Sequence, residues 1–466
     1  MPSQQEIKTK YKAKPQDIVL DFLRNDNNGK NLLYCEETKD IWQYNAGWWK
    51  KVPEQKMQTS IYQYCLIAHP DQRIDDEFAR NIHRSLKHQI FTTVETMDSD
   101  WITFRDVSFN PLTQEVKEHD RALYSTHFIN CNYTGLLPEC PNWQKFLDTS
   151  IVSRNDVKKP DPELQTLVQE MFGYFLIANP EMGQVAFFLV GEGANGKSKL
   201  LKILREIIGK EFISSSSLEM LTSDKFGLPS LIGKKVNICN EEESKHIRVD
   251  KFKALISGDP VGGQYKFGDH FEYVPKVKFV FATNNIPTFN DLNYATVRRI
   301  KIIPFNRKFK ETDPDRDPKI FEKLQPELPG IVAWALEGAK RLIENEFIFT
   351  AAKQTLAASE EFTSEISSAV RFFSDNYKVC TCGDTHYIAN DDLYESYKAW
   401  CDKNGKKQLS SFNFHKDIMA TVDGITTSTR AFEGITKRCK NIEEKQLISD
   451  EDLIPGIPID EIEFEV

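Results

Sequence analysis

The sequence contains no apolar run approaching the roughly 18 to 20 residues that a bilayer-crossing helix needs. Its first segment, Met1 to Lys14, is polar and lysine-bearing, without the apolar centre of a secretory signal. A soluble chain in a bacterial or host-cell cytoplasm, with no membrane partner, is the expectation. Nine cysteines are scattered without repeated spacing, so neither a disulfide framework nor a zinc module is spelled out. Cys380 and Cys382 form the one close pair, and a Cys-x-Cys with only His386 nearby is a poor metal signature. There is no internal repeat, and no excess of positive charge. The net charge is -9, but Asn441 to Val466 holds nine acidic side chains against Lys445, a local balance of -8. The rest of the chain is nearly neutral, so local basic patches remain free to set affinity for phosphates.

What is present is length and apolar content. With 466 residues and 40% hydrophobic side chains the chain can bury a real core spread over two to four domains. Residues 1–150 mix short helical and strand-like runs with Trp42, Trp48, Trp49 and Trp101, which reads as a separate α+β domain. A polar, turn-rich stretch from Val152 to Pro162 is the first expected boundary. It opens a linker and helical collar over 151–184, with a helix from Glu163 to Ile177. From 185 to 350, apolar runs such as Val185–Val190, Lys235–Cys239, Val277–Ala282 and Ile300–Pro304 alternate with helix-length segments, the pattern of an α/β domain on a mainly parallel sheet. Between 351 and 440 come a helical connector, two helix-length segments (Asp391–Lys403 and Ser410–Ala420) and a basic hairpin over Gly424–Lys437, the order of a winged helix. The acidic tail 441–466 follows.

Gly191-Glu192-Gly193-Ala194-Asn195-Gly196-Lys197-Ser198 stands between the apolar run ending at Val190 and a helix-length segment. This is the strand-to-helix setting of a phosphate-binding loop. Glycines let backbone N–H groups converge on phosphates, and the helix N-terminus adds a favourable dipole. Lys197 is suited to the β- and γ-phosphates of ATP, and Ser198 to Mg²⁺. The same glycines spell the Gly-x-Gly-x-x-Gly of dinucleotide folds, with Glu211 downstream, but that alternative gives the Lys-Ser pair no role. Val236 to Glu243 is a strand-length run ending in acids. Glu241 is the first candidate for the metal and for polarising the attacking water, and Glu242 the alternate. Asn240 occupies the slot where an aspartate is commoner. Val277 to Asn285 ends in an amide, Asn284, placed to sense a γ-phosphate. Arg298 and Arg299 precede another strand, and either can serve as a finger offered to a neighbouring subunit or as a structural ion pair. Between acids and sensor lies a Gly-rich excursion carrying Tyr265, Lys266 and Phe267. It reads either as a hairpin gripping single-stranded DNA or as a surface hairpin with an aromatic cluster.

Taken in order, Gly191 to Ser198, Asn240-Glu241, Ser257-Gly-Asp, Ala282-Thr-Asn284 and Arg298-Arg299 with Ile303-Pro-Phe305 resemble the superfamily 3 helicases, in particular the branch of phage and plasmid primase-helicases and the poxvirus primase-helicase. The resemblance is sharp over about 165–310. It implies an AAA+ P-loop ATPase core behind an N-terminal α+β helicase-associated domain, and a hexameric ring of identical chains. It also implies hydrolysis of ATP with Mg²⁺ and 3′-to-5′ movement on single-stranded DNA to open forks, beside a separate primase or polymerase. Lys197, Glu241, Glu242, Asn284, Arg298 and Arg299 would be the catalytic set, and Tyr265, Lys266 and Phe267 would meet DNA. In the winged-helix segment Lys416, Arg430, Lys437 and Arg438 are the candidate DNA contacts, while Leu393, Tyr394, Tyr397 and Trp400 fall at the spacing of a helix core. The rival readings are an AAA+ remodelling or defence ATPase and a non-catalytic origin-binding initiator.

Overall fold

A computed structural model describes residues 13–437, apart from 26–30, 37, 71, 73, 94–98, 136–139, 179–181, 241, 243–245, 267, 290–293, 380–386, 422–425, 428–430 and 434. The Cys380/Cys382/His386 group, the acidic tail, Glu241, Phe267, Arg430 and Arg438 therefore lie outside the described residues.

The N-terminal part opens with helix α1 (Pro15–Asn25) and strands β1 (Leu32–Cys35), β2 (Asp40–Asn45) and β3 (Trp48–Val52). Helices α2 (Glu54–Ala68) and α3 (Asp76–Gln89) follow, then β4 (Phe91–Thr92), which pairs parallel to β1 and completes a four-stranded sheet. Asp75 caps α3 by accepting from the Phe78 amide at 2.9 Å. Ile18, Val19, Ile61, Ile82 and Leu86 make a small core of their own here. A second sheet of two-residue strands, β5 (Ile102–Thr103), β6 (Ser108–Phe109), β7 (Val116–Lys117) and β8 (His127–Phe128), leads to helix α4 (Pro141–Ser150).

The expected boundary at 151 is not a boundary of the core. Trp42, Trp49, Phe104, Trp143 and Phe146 share one continuous apolar cluster with helix α5 (Pro162–Leu176) and with elements further on. Turn chemistry in the sequence marks where the backbone bends, not where packing stops. Asp161 caps α5 at the Leu164 amide, 2.9 Å, with Pro162 in its first turn.

The central sheet is wholly parallel, built from β9 (Ala186–Val190), β10 (Ile213–Ser214), β11 (Val236–Cys239), β15 (Lys278–Thr283) and β17 (Ile300–Pro304). The intervening elements are α6 (Lys197–Ile208), α7 (Leu218–Ser223), β12 (His246–Ile247), α8 (Val249–Ser257), the antiparallel hairpin β13 (Val261–Gln264) and β14 (His270–Tyr273), β16 (Thr288–Phe289) and α9 (Tyr294–Val297). The spatial order is β10-β11-β15-β9-β17. The strand that follows α6 thus sits at the far edge, with β11 and β15 between it and β9, whereas a dinucleotide fold sets its first two strands side by side. β9 and β15 are buried on both faces, which is why they read as unbroken apolar runs.

Helices α10 (Ile320–Leu324), α11 (Leu328–Glu344) and α12 (Lys353–Ile366) lead out of the sheet. α5 and α11 cross with glycines at the contact: a Cβ on Gly173 would meet the Ala339 nitrogen at 2.1 Å, and one on Gly338 the Gln169 carbonyl oxygen at 2.2 Å. The last unit holds α13 (Ser368–Asn376), β18 (Tyr377–Val379), β19 (Tyr387–Ala389), α14 (Asn390–Asn404), α15 (Ser411–Thr421), β20 (Thr426–Thr427), β21 (Ala431–Glu433) and β22 (Ile435–Lys437). Leu393 and Tyr397 are fully buried among Phe372, Phe414 and Ile418, with Tyr394 and Trp400 packed against them, as their helical spacing predicts. No helix among the described residues is long and apolar enough to cross a membrane.

Candidate functional site

All five central strands run the same way, so the loops at their C-terminal ends gather at one edge. An open cleft of about 1150 Å³ lies there, lined by residues 193–199, Asn240, Glu242, Thr283, Asn284 and Asn285. The loop leaves β9 through Gly191 (φ +155°), turns at Ala194 (φ +60°) and enters α6 through Gly196 (φ +99°). A Cβ at Gly191 would sit 2.5 Å from the Phe305 carbonyl oxygen, and one at Gly196 2.8 Å from Ser150 Oγ. Both glycines are therefore required by close approach as well as by backbone angle. The loop is held from β17 onward: the Phe309 amide donates to the Ala194 carbonyl at 2.8 Å, and Lys308 pairs with Glu192 at 2.9 Å.

Lys197 is buried, and its ammonium donates to the Gly191 and Glu192 carbonyls. Burial pulls its pKa down to about 8. Three buried polar atoms in the cleft wall have no hydrogen-bond partner among the described residues: Ser150 Oγ, Asn195 Nδ2 and Glu242 Oε1. Buried polar groups are normally satisfied, so orphans converging on one cleft are what a polar ligand would complete. The other oxygen of Glu242 accepts from the Leu218 amide at 2.7 Å and so holds the start of α7. Burial raises the Glu242 carboxyl above its usual range. Asn284 is exposed at the end of β15, beside Asn285, whose amide donates to Thr283 Oγ1 at 3.2 Å. Asn240 is tied back by Arg205, whose Nη2 donates to the Ile238 carbonyl at 2.7 Å and to Asn240 Oδ1 at 3.4 Å.

Sequence reasoning missed the other wall. Asn142, Lys145, Thr149 and Ser150 of α4 and the segment 314–323 close the cleft opposite the loop. Arg307 fastens the two together, donating to Asp313 and Asp315 at 2.9 and 2.7 Å and to the Thr149 carbonyl at 3.5 Å. The sequence signal is only a lone arginine followed by two aspartates in a turn, unremarkable until α4 is seen to reach across.

Arg298 and Arg299 are not at this cleft. They precede β17, whose Ile300 pairs with Ala186 at the start of β9, so they stand at the opposite end of the sheet from their own loop. Five strand residues separate the two ends, about 16 Å at ~3.3 Å per residue. Arg299 is half-buried and donates from Nε and Nη2 to Ser257 Oγ at 3.1 and 2.7 Å, while Arg298 is exposed. Lys266 lies at the exposed turn of the β13–β14 hairpin, and Tyr265, 44% exposed, packs on Phe271 at 4.8 Å between ring centroids. Lys416 is exposed on α15, and Lys437 ends β22 where it pairs with Tyr377.

A mixed α/β unit with a parallel sheet, a glycine-built loop and a polar cleft at the strand ends defines the class. Three family models match in chain order: "D5 N terminal like" over 21–152, a family of unknown function (DUF5906) over 189–299, and "Poxvirus D5 protein-like" over 362–452. Among curated proteins the chain is 26% identical over 241 residues to "Putative helicase L207/L206" of Acanthamoeba polyphaga mimivirus, covering 47% of this chain and 25% of that one. It is 24% identical over 284 residues to "Putative helicase 121R" of Invertebrate iridescent virus 3, covering 54% and 30%. It is 28% identical over 139 residues to "Primase D5" of Fowlpox virus (strain NVSL), covering 28% and 17%. The chain thus spans less than a third of the length of these relatives. A solved structure of the NrS-1 C-terminal region aligns with TM-score 0.45 at 14% identity, covering 92% of this chain and all of that one. These matches support a likeness to the D5-like branch of the superfamily 3 primase-helicases.

Proposed function

We propose that the chain is the motor of an ATP-dependent replicative DNA helicase, working as a ring of identical subunits, with six expected, on single-stranded DNA. The observation that carries this is the division of labour across the sheet. One end gathers the Gly191–Ser198 loop, Lys197, Glu242 and Asn284 around a cleft with unsatisfied buried polar atoms. The other end carries Arg298 and the Lys266 hairpin. A subunit whose arginine stands a strand's length from its own loop can lend it only to a neighbour, and head-to-tail contacts of that kind close into rings. The strand order and the glycine loop support a P-loop ATPase of AAA+ type, and the helix-strand order of 368–437 supports a winged helix that carries Lys416 on an exposed helix face.

The wall residues fit a nucleoside triphosphate with its metal. Lys197 offers a cation to phosphate oxygens, loop amides and Asn195 Nδ2 offer donors, and Ser198, exposed in the first turn of α6, offers a hydroxyl to Mg²⁺. Mg²⁺ held by that hydroxyl would supply positive charge to offset that of the nucleotide's phosphates. Glu242 Oε1 and Asn284 are the described groups able to hold the attacking water, with Glu241 beside them in sequence. A strand-displacement assay on forks of both polarities, run beside a mass measurement with and without nucleotide, tests the reading. Unwinding with one polarity by a nucleotide-stabilised oligomer is the expected result, 3′-to-5′ being the expected direction. A chain that stays a single subunit and binds no ATP would contradict it. The rival protein-remodelling ATPase is separated by DNA-stimulated hydrolysis and by its indifference to Lys266→Ala.

A further inference from the structure

A second cleft, about 1020 Å³, lies at the N-terminal ends of the central strands, away from the nucleotide cleft. One wall is the turn between β1 and β2 with Thr38, Lys39 and Trp42; the other is the β13–β14 hairpin, and Lys234, Lys235, Lys276 and Lys278 stand between them. Five lysines thus line the cleft against two hairpin-edge acids, Asp269 and Glu272. Lys235 lies over the Phe212 ring at 5.5 Å, and Lys278 is buried in the floor, where it donates to the Tyr174 and Ile177 carbonyls at 2.6 and 2.5 Å. Two donors in the far wall have no partner among the described residues: the indole Nε1–H of Trp42, a side chain 7% exposed, and the Thr38 hydroxyl. Lys234 and Lys278 are both pulled below the ordinary lysine range, by burial first and then by a neighbouring lysine, Lys51 and Lys235 respectively, an effect that Glu211 and Asp40 beside the first and Asp100 beside the second only partly offset.

The geometry points to a binding path for single-stranded nucleic acid between the N-terminal sheet and the base of the hairpin, in which Lys39 and Lys235 meet backbone phosphates and Trp42 Nε1–H donates to a phosphate or base oxygen. Interleaved lysines and aromatic rings are the chemistry that holds a single strand regardless of sequence. A buried unpaired indole N–H asks for an acceptor, and an anionic oxygen answers both it and the lysines. Nothing in the motifs announces this site, because its walls come from 35–42, 126, 175–178, 212, 232–235 and 265–278. It rests on the nucleic-acid part of the proposed function but not on the nucleotide cleft.

The test is equilibrium binding of a fluorescein-labelled oligothymidylate to the full chain, without nucleotide, across a salt series. Lys39→Gln with Lys235→Gln should weaken binding roughly 20-fold at about 0.1 M salt and lower the log–log salt slope by about 1.4, two single-strand phosphate contacts at ~0.7 each. Glutamine is chosen at 39 because that residue already sits at φ +57°, which the substitution leaves no worse. Trp42→Phe, which keeps an aromatic ring and deletes the N–H, should cost about fivefold. Affinity for a fluorescent ATP analogue should stay unchanged in both. Wild-type affinity and slope in the double lysine variant would overturn the proposal, as would weaker binding with an unchanged slope. If Lys266→Ala alone weakens binding, the hairpin reading survives without this cleft; if the wild-type chain binds no oligonucleotide, both fall.

Discussion

The two ends of the central sheet differ in how their chemistry is written. At the C-terminal end, one wall of the cleft comes from residues at or just after the ends of three strands, so each short motif lies close together in sequence and that wall nearly reads itself: Gly193 to Lys199, Asn240 with Glu242, Ala282 to Asn285. At the N-terminal end, Lys39, Phe175, Phe212, Lys235 and Phe271 come from five separate segments and meet only because the N-terminal sheet docks there. On the proposed reading, one end holds a small polyanion and the other offers charge and rings along an open surface. Coupling between them is what a translocating motor needs.

The strongest way to break that contrast is Lys197→Ala. Removing the buried ammonium should abolish nucleotide hydrolysis and unwinding, at least ~100-fold in steady-state turnover, while oligothymidylate binding without nucleotide stays within about twofold of wild type. Parallel loss of both would mean the two ends are one site. Arg298→Ala comes next, with hydrolysis expected to fall by roughly 10³-fold while nucleotide affinity changes little. Arg299→Ala should also lower the melting temperature, because Arg299 already holds Ser257 within its own chain. Lys266→Ala should leave basal hydrolysis intact and reduce unwinding by about tenfold or more, measured side by side on one preparation. The pH profile sharpens the nucleotide end: Lys197, with its pKa lowered to about 8, is protonated below that value and neutral above it. Nucleotide affinity should therefore be level from pH 6 to about 7.5 and fall through pH 8 to 9, and Lys197→Ala should flatten the fall.

The smallest expected effect concerns the seam between the N-terminal sheets and α6. His127 is fully buried, its Nε2 donates to the Ile207 carbonyl at 3.0 Å, and burial lowers its pKa from 6.5 to about 3. The unfolded chain binds this proton first, so stability is full above pH 6.5 and declines as pH falls from there toward 3. Thermal melts at pH 7 and 5 should differ less in His127→Gln than in wild type.

Legibility followed locality. The helices expected at Glu163–Ile177 and Ser410–Ala420 appear as Pro162–Leu176 and Ser411–Thr421, because caps and periodicity are local signals. The β9 and β15 strands were equally plain, being buried on both faces. The apolar core that runs across the expected boundary at 151 was not legible, because Trp143 and Phe146 pack beyond it, a fact carried by no neighbouring residue. The α4 wall of the nucleotide cleft was invisible for the same reason: Ser150 matters only because Gly196 comes to rest against it. Which arginine faces outward could not be told from an Arg-Arg pair; Ser257 decides it, taking Arg299 and leaving Arg298 exposed.

The central claim, a nucleotide held by one copy and completed by its neighbour's arginine, is tested most directly by mixing two inactive variants, Lys197→Ala and Arg298→Ala, and measuring ATP hydrolysis. Where an Arg298→Ala loop faces a Lys197→Ala neighbour, an intact lysine meets an intact arginine, so an equal mixture should recover up to about a quarter of wild-type turnover. Hydrolysis that stays at the level of the separate variants at every ratio would contradict the account.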